Sequence, residues 1–163
     1  MALTTTPDDL GYTPPSTKGL WSWITTIDHK RIGIMYAVAS LVFFIVGGLE
    51  ALLIRTQLAT ANGTLVSADA YNQLFTMHGL TMVFAVIMPI AAAFQNYFIP
   101  LMIGARDVAF PRLNAFAFWL FLFSVVLLTS SFFLGGSPDG AWVGYAPLST
   151  QIQELVELLE SWK

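Results

Sequence analysis

The sequence predicts an all-α integral membrane protein with three transmembrane helices and a short amphipathic helix at its C-terminal end. Three observations carry this. Residues 32–49, 74–105 and 113–134 hold no Asp, Glu, Lys or Arg, and each stretch reaches the roughly 18–20 residues a helix needs to cross about 30 Å of hydrocarbon. Over all 163 residues, 56% are hydrophobic and 10% charged, which places the chain in the membrane class. A transmembrane barrel would alternate apolar and polar residues, and FAFWLFLF at 116–123 does not.

Three regions follow: an arm over 1–18, a three-span region over 19–150 and a helical tail over 151–163. The arm carries Pro7, Pro14 and Pro15 and reads as flexible and cytoplasmic. The first span begins behind it, near residue 32, with no small-residue cleavage site after a short apolar core, so it does not read as a cleaved signal peptide. Trp21 and Trp23 fit an interfacial anchor, and Asp28 is placed to cap the first helix. Lys18, Lys30 and Arg31 precede span one, and Arg106 and Arg112 lie between spans two and three. The connections at 56–73 and 135–150 have no Lys or Arg. The positive-inside rule therefore puts the N-terminus in the cytoplasm. Zero cysteines exclude disulfides, thiolate metal sites and covalent c-type haem attachment.

After the turn signals GGSPDG the chain ends in TQIQELVELLESWK. Ile152, Leu155, Val156, Leu159 and Trp162 share one helical face, with Glu154, Glu157 and Glu160 elsewhere, and Thr150 with Gln153 matches a capping box. The acidic residues disfavour an anionic lipid surface, so this helix is expected to pack on neighbouring protein or on itself.

Ionisable groups within spans are costly and mark candidate sites. They are Glu50 and Arg55 at the outer end of span one, His78 in the outer third of span two, and Asp107 at the inner boundary. Counted at 3.6 residues per turn, the His78 face continues through Met82, Ala85, Pro89, Ala92 and Asn96, five turns or about 27 Å. The middle of this stripe is small, and Pro89 opens the local hydrogen-bond ladder. His78 either hydrogen-bonds a neighbouring helix or ligates a metal, for which a haem between helices is one candidate. Arg55 lies at similar depth and either snorkels to the interface or serves a buried acceptor. Asp107 reads as a surface carboxylate between Arg106 and Arg112, or as the mouth of a proton path with Asn96 and Asn114 holding water behind it.

The segments TTIDHKRIGIMY, LLIR, FTMHGLTMVF, NYFIPLMIGARDVAFPRLNAFAFWL and WVGYAPLST resemble subunit I of the haem-copper terminal oxidases, in particular bacterial cytochrome c oxidases of the A type. The likeness runs from Trp21 to Thr150, over the first three of the family's twelve spans. It implies that His78 is one of two axial ligands of the low-spin haem, heme A in this type, and that Arg55 bonds that haem's formyl group. It places Trp142 near the haem propionates and Tyr71 and Met82 along the low-spin haem pocket. Asp107 becomes the opening of a proton channel, with Asn96 and Asn114 along it. His29, within DHKR, carries no ligand role and reads as interfacial.

The second haem ligand, the high-spin haem site, the copper histidines and the cross-linked tyrosine of the family all fall beyond residue 163. QIQELVELLESWK does not resemble the fourth span, so a truncated, frameshifted or split product is expected. The implied function is the N-terminal part of a cytochrome c oxidase, which reduces dioxygen to water and pumps protons. Its partners would be the rest of subunit I, the other oxidase subunits, cytochrome c and membrane lipid, in a bacterial inner membrane. A quinol oxidase is the alternative: that branch sets an arginine, an acid, a histidine and a glutamine around its quinone, where this chain has Val46, Glu50, Ala70 and Gln73. A non-catalytic membrane module without cofactor is the reading from another class.

Overall fold

The computed structural model describes residues 19–60, 63–134 and 136–144. The arm over 1–18 and the amphipathic helix expected over 151–163 lie outside the described residues.

A short helix, α1 (Trp21–Ile24), opens the described chain. It stops at Thr25, whose hydroxyl donates back to the Trp21 carbonyl at 2.9 Å. The first long helix, α2, covers His29–Gln57. Asp28 caps it as its sequence position suggested: the carboxylate accepts the Lys30 N–H at 2.9 Å, satisfying one of the donors that a helix start leaves free. The connection to the next helix is closed by one side chain. The Gln57 amide donates to the Gly63 carbonyl at 2.6 Å and accepts the Val66 N–H at 3.0 Å. Ser67 then caps α3 (Ala68–Leu80) by accepting the Ala70 N–H.

The second span is one continuous helical run of 35 residues, Ala68–Met102, but it is not uniform. Residues Thr81–Ile87 are π-helical, between α3 and α4 (Met88–Met102). Pro89 supplies the reason. It has no N–H to give the Ala85 carbonyl, and its ring crowds that carbonyl, so the ladder widens and the Met88 N–H reaches back five residues to Val83. The third span, α5 (Pro111–Ser130), has Pro111 in its first turn, where the missing donor costs nothing.

These three runs of 29, 35 and 20 residues are long and apolar enough to cross a membrane. Helix α2 packs along the second span from end to end, and α5 touches the pair less extensively. Two buried clusters hold them together: Ile32, Tyr36, Ala39, Ala93 and Phe118, then Phe43, Ala85, Val86 and Val125. Tyr36 and Phe118 meet edge to face with centroids 5.0 Å apart. A Cβ on Gly33 would lie 3.0 Å from the Ala93 carbonyl, so the glycine permits the close helix crossing typical of membrane packing. Leu41, Phe44, Ile45, Leu49 and Leu52 of α2 remain exposed, as surfaces that meet lipid or further helices do. The fold is all-helical, with no strand among the described residues.

Candidate functional site

Two polar constellations stand at opposite ends of the bundle. At one end, α3 brings His78 against α2. Its Nδ1 lies 2.9 Å from the Gly47 carbonyl. A carbonyl only accepts, so Nδ1 carries the proton and donates, and Nε2 is left with a free lone pair. Among the described residues Nε2 has no hydrogen-bond partner. Gly47 makes this approach possible: a Cβ there would stand 2.8 Å from the Met82 sulfur. The half-buried Met82 thioether thus packs directly on the glycine whose carbonyl orients the imidazole. An imidazole with one N–H fixed on a backbone carbonyl and the other nitrogen free is the arrangement that prepares histidine to ligate a metal.

One turn further along α2, Glu50 is buried at 6% exposure. Thr81 reaches one carboxylate oxygen at 3.4 Å, while the other, Oε2, is buried without a partner. Thr81 opens the π-helical stretch, so Glu50, His78 and the irregular backbone lie together. Trp142 also belongs to this end, with its side chain against Gly79. Arg55, in the last turn of α2, is exposed and meets no acceptor among the described residues. Tyr71 lines a separate cleft of about 420 Å³ with Gln57, Gly63 and Val66.

At the other end, Asp107 accepts the Val108 N–H at 2.8 Å and lies 3.0 Å from His29 Nδ1. Its side chain stays 36% exposed while that of His29 is 2% exposed. His29, read from sequence only as interfacial, is thus buried against Asp107 at the start of α2. The signal in the sequence was only that both precede helical runs with basic neighbours, which does not specify a contact. His29 Nε2 and Asn114 Nδ2 are both buried without partners. Ala92 and Ala115 pack on the cluster that contains Ile32. Asn114 adjoins the second of these, and Asn96 bonds the Ala92 carbonyl at 2.9 Å. Each asparagine thus adjoins, along its own helix, an alanine that packs on this cluster. Orphan polar atoms in a buried setting are relieved by ordered water.

The stripe drawn from His78 to Asn96 needs adjustment. The buried line of the second span is Met77, Thr81, Ala85, Pro89 and Ala93, with His78, Met82, Ala92 and Asn96 half-buried beside it. A π-helical turn holds more residues than an α turn, so a count at 3.6 slips across 81–87.

The family model described as Cytochrome C and Quinol oxidase polypeptide I matches residues 31–162. The chain belongs to this oxidase polypeptide I family. The match runs past Thr150, where the likeness was expected to stop. The chain is 55% identical over 130 residues to cytochrome c oxidase subunit 1 of Bacillus subtilis, covering 80% of this chain and 21% of that protein. It is 52% identical over 130 residues to cytochrome c oxidase subunit 1 of Bacillus sp. strain PS3, with the same coverage. It is also 45% identical over 134 residues to quinol oxidase subunit 1 of Bacillus subtilis, covering 82% of this chain and 21% of that one. The chain thus spans about a fifth of the length of the curated relatives it matches. The family is a haem-copper oxidase family. The free Nε2 of His78 beside half-buried Met82 fits one face of a haem, whereas the described residues offer no second histidine opposite it.

Proposed function

We propose that this chain supplies the N-terminal part of subunit I of a cytochrome c oxidase, holding one side of the low-spin haem A and the entrance of a proton path. The observation that carries the reading is the His78 imidazole, fixed through Nδ1–H on the Gly47 carbonyl at 2.9 Å with Nε2 free. When bound, the haem supplies one-electron chemistry between ferrous and ferric iron. His78 orients and ligates. Met82 and Gly47 shape the apolar wall, Arg55 offers a cation to a polar substituent, and Trp142 closes a margin of the pocket, while Tyr71 lines the adjoining cleft and would approach the haem only from there. At the far end, Asp107 gathers protons, and Asn96 and Asn114 order water inward of it. The positive-inside pattern supports a cytoplasmic Asp107 end, and the likeness to bacterial oxidases supports a bacterial inner membrane. In the complete enzyme four electrons from cytochrome c and four protons reduce dioxygen to water. The copper and the high-spin haem would be held by the remainder of the subunit.

The test is an absorption spectrum of the purified chain after addition of haem A. A Soret band that His78→Ala abolishes is the expected result. A band indifferent to His78 overturns the assignment.

A quinol oxidase is the second reading. It is favoured by the buried Glu50 with its unpartnered Oε2 and by relatives bearing that name. The higher identity to cytochrome c oxidases supports the first. Turnover of the complete complex with quinol alone would reverse the order.

A further inference from the structure

The segment 136–144, which follows the third span, folds back along α3 and is attached there at three points. The Ser137 hydroxyl donates to Gln73 Oε1 at 3.1 Å. The Ala141 N–H donates to Thr76 Oγ1 at 3.0 Å. The side chain of Trp142 lies on the bare Cα of Gly79, where an added Cβ would come within 3.1 Å of the Trp142 Cβ. Gln73, Thr76 and Gly79 recur every three residues, which makes them neighbours on one ridge of the helix. Thr76 is 1% exposed and Ser137 9%, so these contacts are sheltered from water and are not loose surface encounters.

Backbone conformation supports the same picture. Ala141 has φ +57°, the one non-glycine residue with positive φ among the described residues. An alanine is held in that region only where surrounding contacts over-determine it. Here the turn it makes aims its own N–H at Thr76 and sets the next residue, Trp142, over Gly79. The neighbour of Gly79 is His78, about 100° round the helix, with its imidazole on Gly47. One turn of α3 therefore presents the imidazole to α2 and carries the indole on an adjoining face. Trp142 remains 54% exposed, leaving much of its ring available to something beyond the described chain.

We propose that Thr76 is a positioning residue: with Gln73 and Gly79 it straps segment 136–144 to α3 and fixes the Trp142 indole beside the turn that carries His78. What the indole then bears on, the margin of the haem, rests on the function proposed above. The strap itself does not.

The experiment uses the complete oxidase with three variants. Thr76→Val keeps shape and removes the acceptor for the Ala141 N–H. Thr76→Ser restores it. Gly79→Ala keeps every hydrogen bond and pushes on Trp142. Hydrogen exchange of the peptide covering 136–144 reads the strap. Exchange is expected to quicken roughly five- to tenfold in Thr76→Val, the size of one lost buried hydrogen bond, and to return in Thr76→Ser. The low-spin haem's visible band and midpoint potential read the position of Trp142, and both are expected to shift in Thr76→Val and Gly79→Ala with haem content unchanged. Unaltered exchange in Thr76→Val overturns the strap. Faster exchange with an unmoved band and potential overturns the positioning role. If His78→Ala leaves the low-spin haem in place, the haem reading fails by itself, while the exchange arm still decides the strap.

Discussion

His29 and Asp107 meet at 3.0 Å, Nδ1 to Oδ1, across 78 residues of sequence. One belongs to the first turn of α2 and the other to the connection before α5, so this contact ties the entry of the first span to the turn that launches the third. Asp28, the cap of α2, stands 3.8 Å from the same ring nitrogen. The imidazole is therefore set between two carboxylates, with the shorter contact to Asp107.

A double-mutant cycle of His29→Ala and Asp107→Ala, read by thermal or denaturant unfolding in detergent, is expected to give a coupling of about 0.5–1.5 kcal/mol. The lower part of that range applies if the exposed side of Asp107 is well screened by solvent. Additive single effects would show the contact to be inconsequential for stability. In the complete oxidase, Asp107→Asn is expected to slow proton uptake with haem content intact. Loss of haem in that variant would show a structural role instead.

Gly47→Ala tests the close approach beneath His78. The new methyl would meet the Met82 sulfur at 2.8 Å, and overpacking of this kind typically costs about 1–3 kcal/mol. Methionine is flexible, so the cost falls toward the low end. Adding Met82→Ala is expected to recover part of the stability. No loss in Gly47→Ala, measured by thermal unfolding, would mean that the sulfur moves freely and does not clamp this turn.

Glu50 offers a contrast between two substitutions. Replacing it with Leu removes a buried carboxyl that has an orphan oxygen, and this is expected to be nearly neutral or mildly stabilising, within about 1 kcal/mol. Thr81→Val leaves the carboxyl in place and takes away its donor, which is expected to destabilise by about 1–3 kcal/mol. Equal effects from the two, compared by thermal unfolding, would show that the 3.4 Å contact contributes little.

Pro89→Ala restores the donor whose absence accompanies the widened backbone. Residues 81–87 are then expected to tighten to ordinary α-helix, which a structure of the variant would show directly, and Met88 would bond Phe84 in place of Val83. Retention of the π turns would place their cause in the packing of Ala85 and Val86 against Phe43 and Val125.

Much of the fold is legible in the amino-acid order. Runs without charge in 32–49, 74–105 and 113–134 specify three helices, because a backbone in hydrocarbon has to satisfy its own hydrogen bonds. Asp28 as a cap is a local effect, written in neighbouring residues and independent of the rest of the chain. The polar residues inside the spans can also be picked out, since each stands against a large desolvation cost.

What those residues touch is a matter of three-dimensional packing. The His78 proton could not be placed from sequence, because its acceptor is a backbone carbonyl on another helix and is reachable only where Gly47 lacks a side chain. The burial of His29 on Asp107 was hidden because nothing local distinguishes a histidine at an interface from one folded under a loop. Pro89 pointed to an opened ladder, but how far the widening spread depended on the packing on either side. The residue order suffices for which segments form helices long and apolar enough to cross a membrane, since that follows from local transfer energies. Which polar atoms are paired and which are left over came from the folded arrangement, since that depends on contacts between residues far apart in the chain.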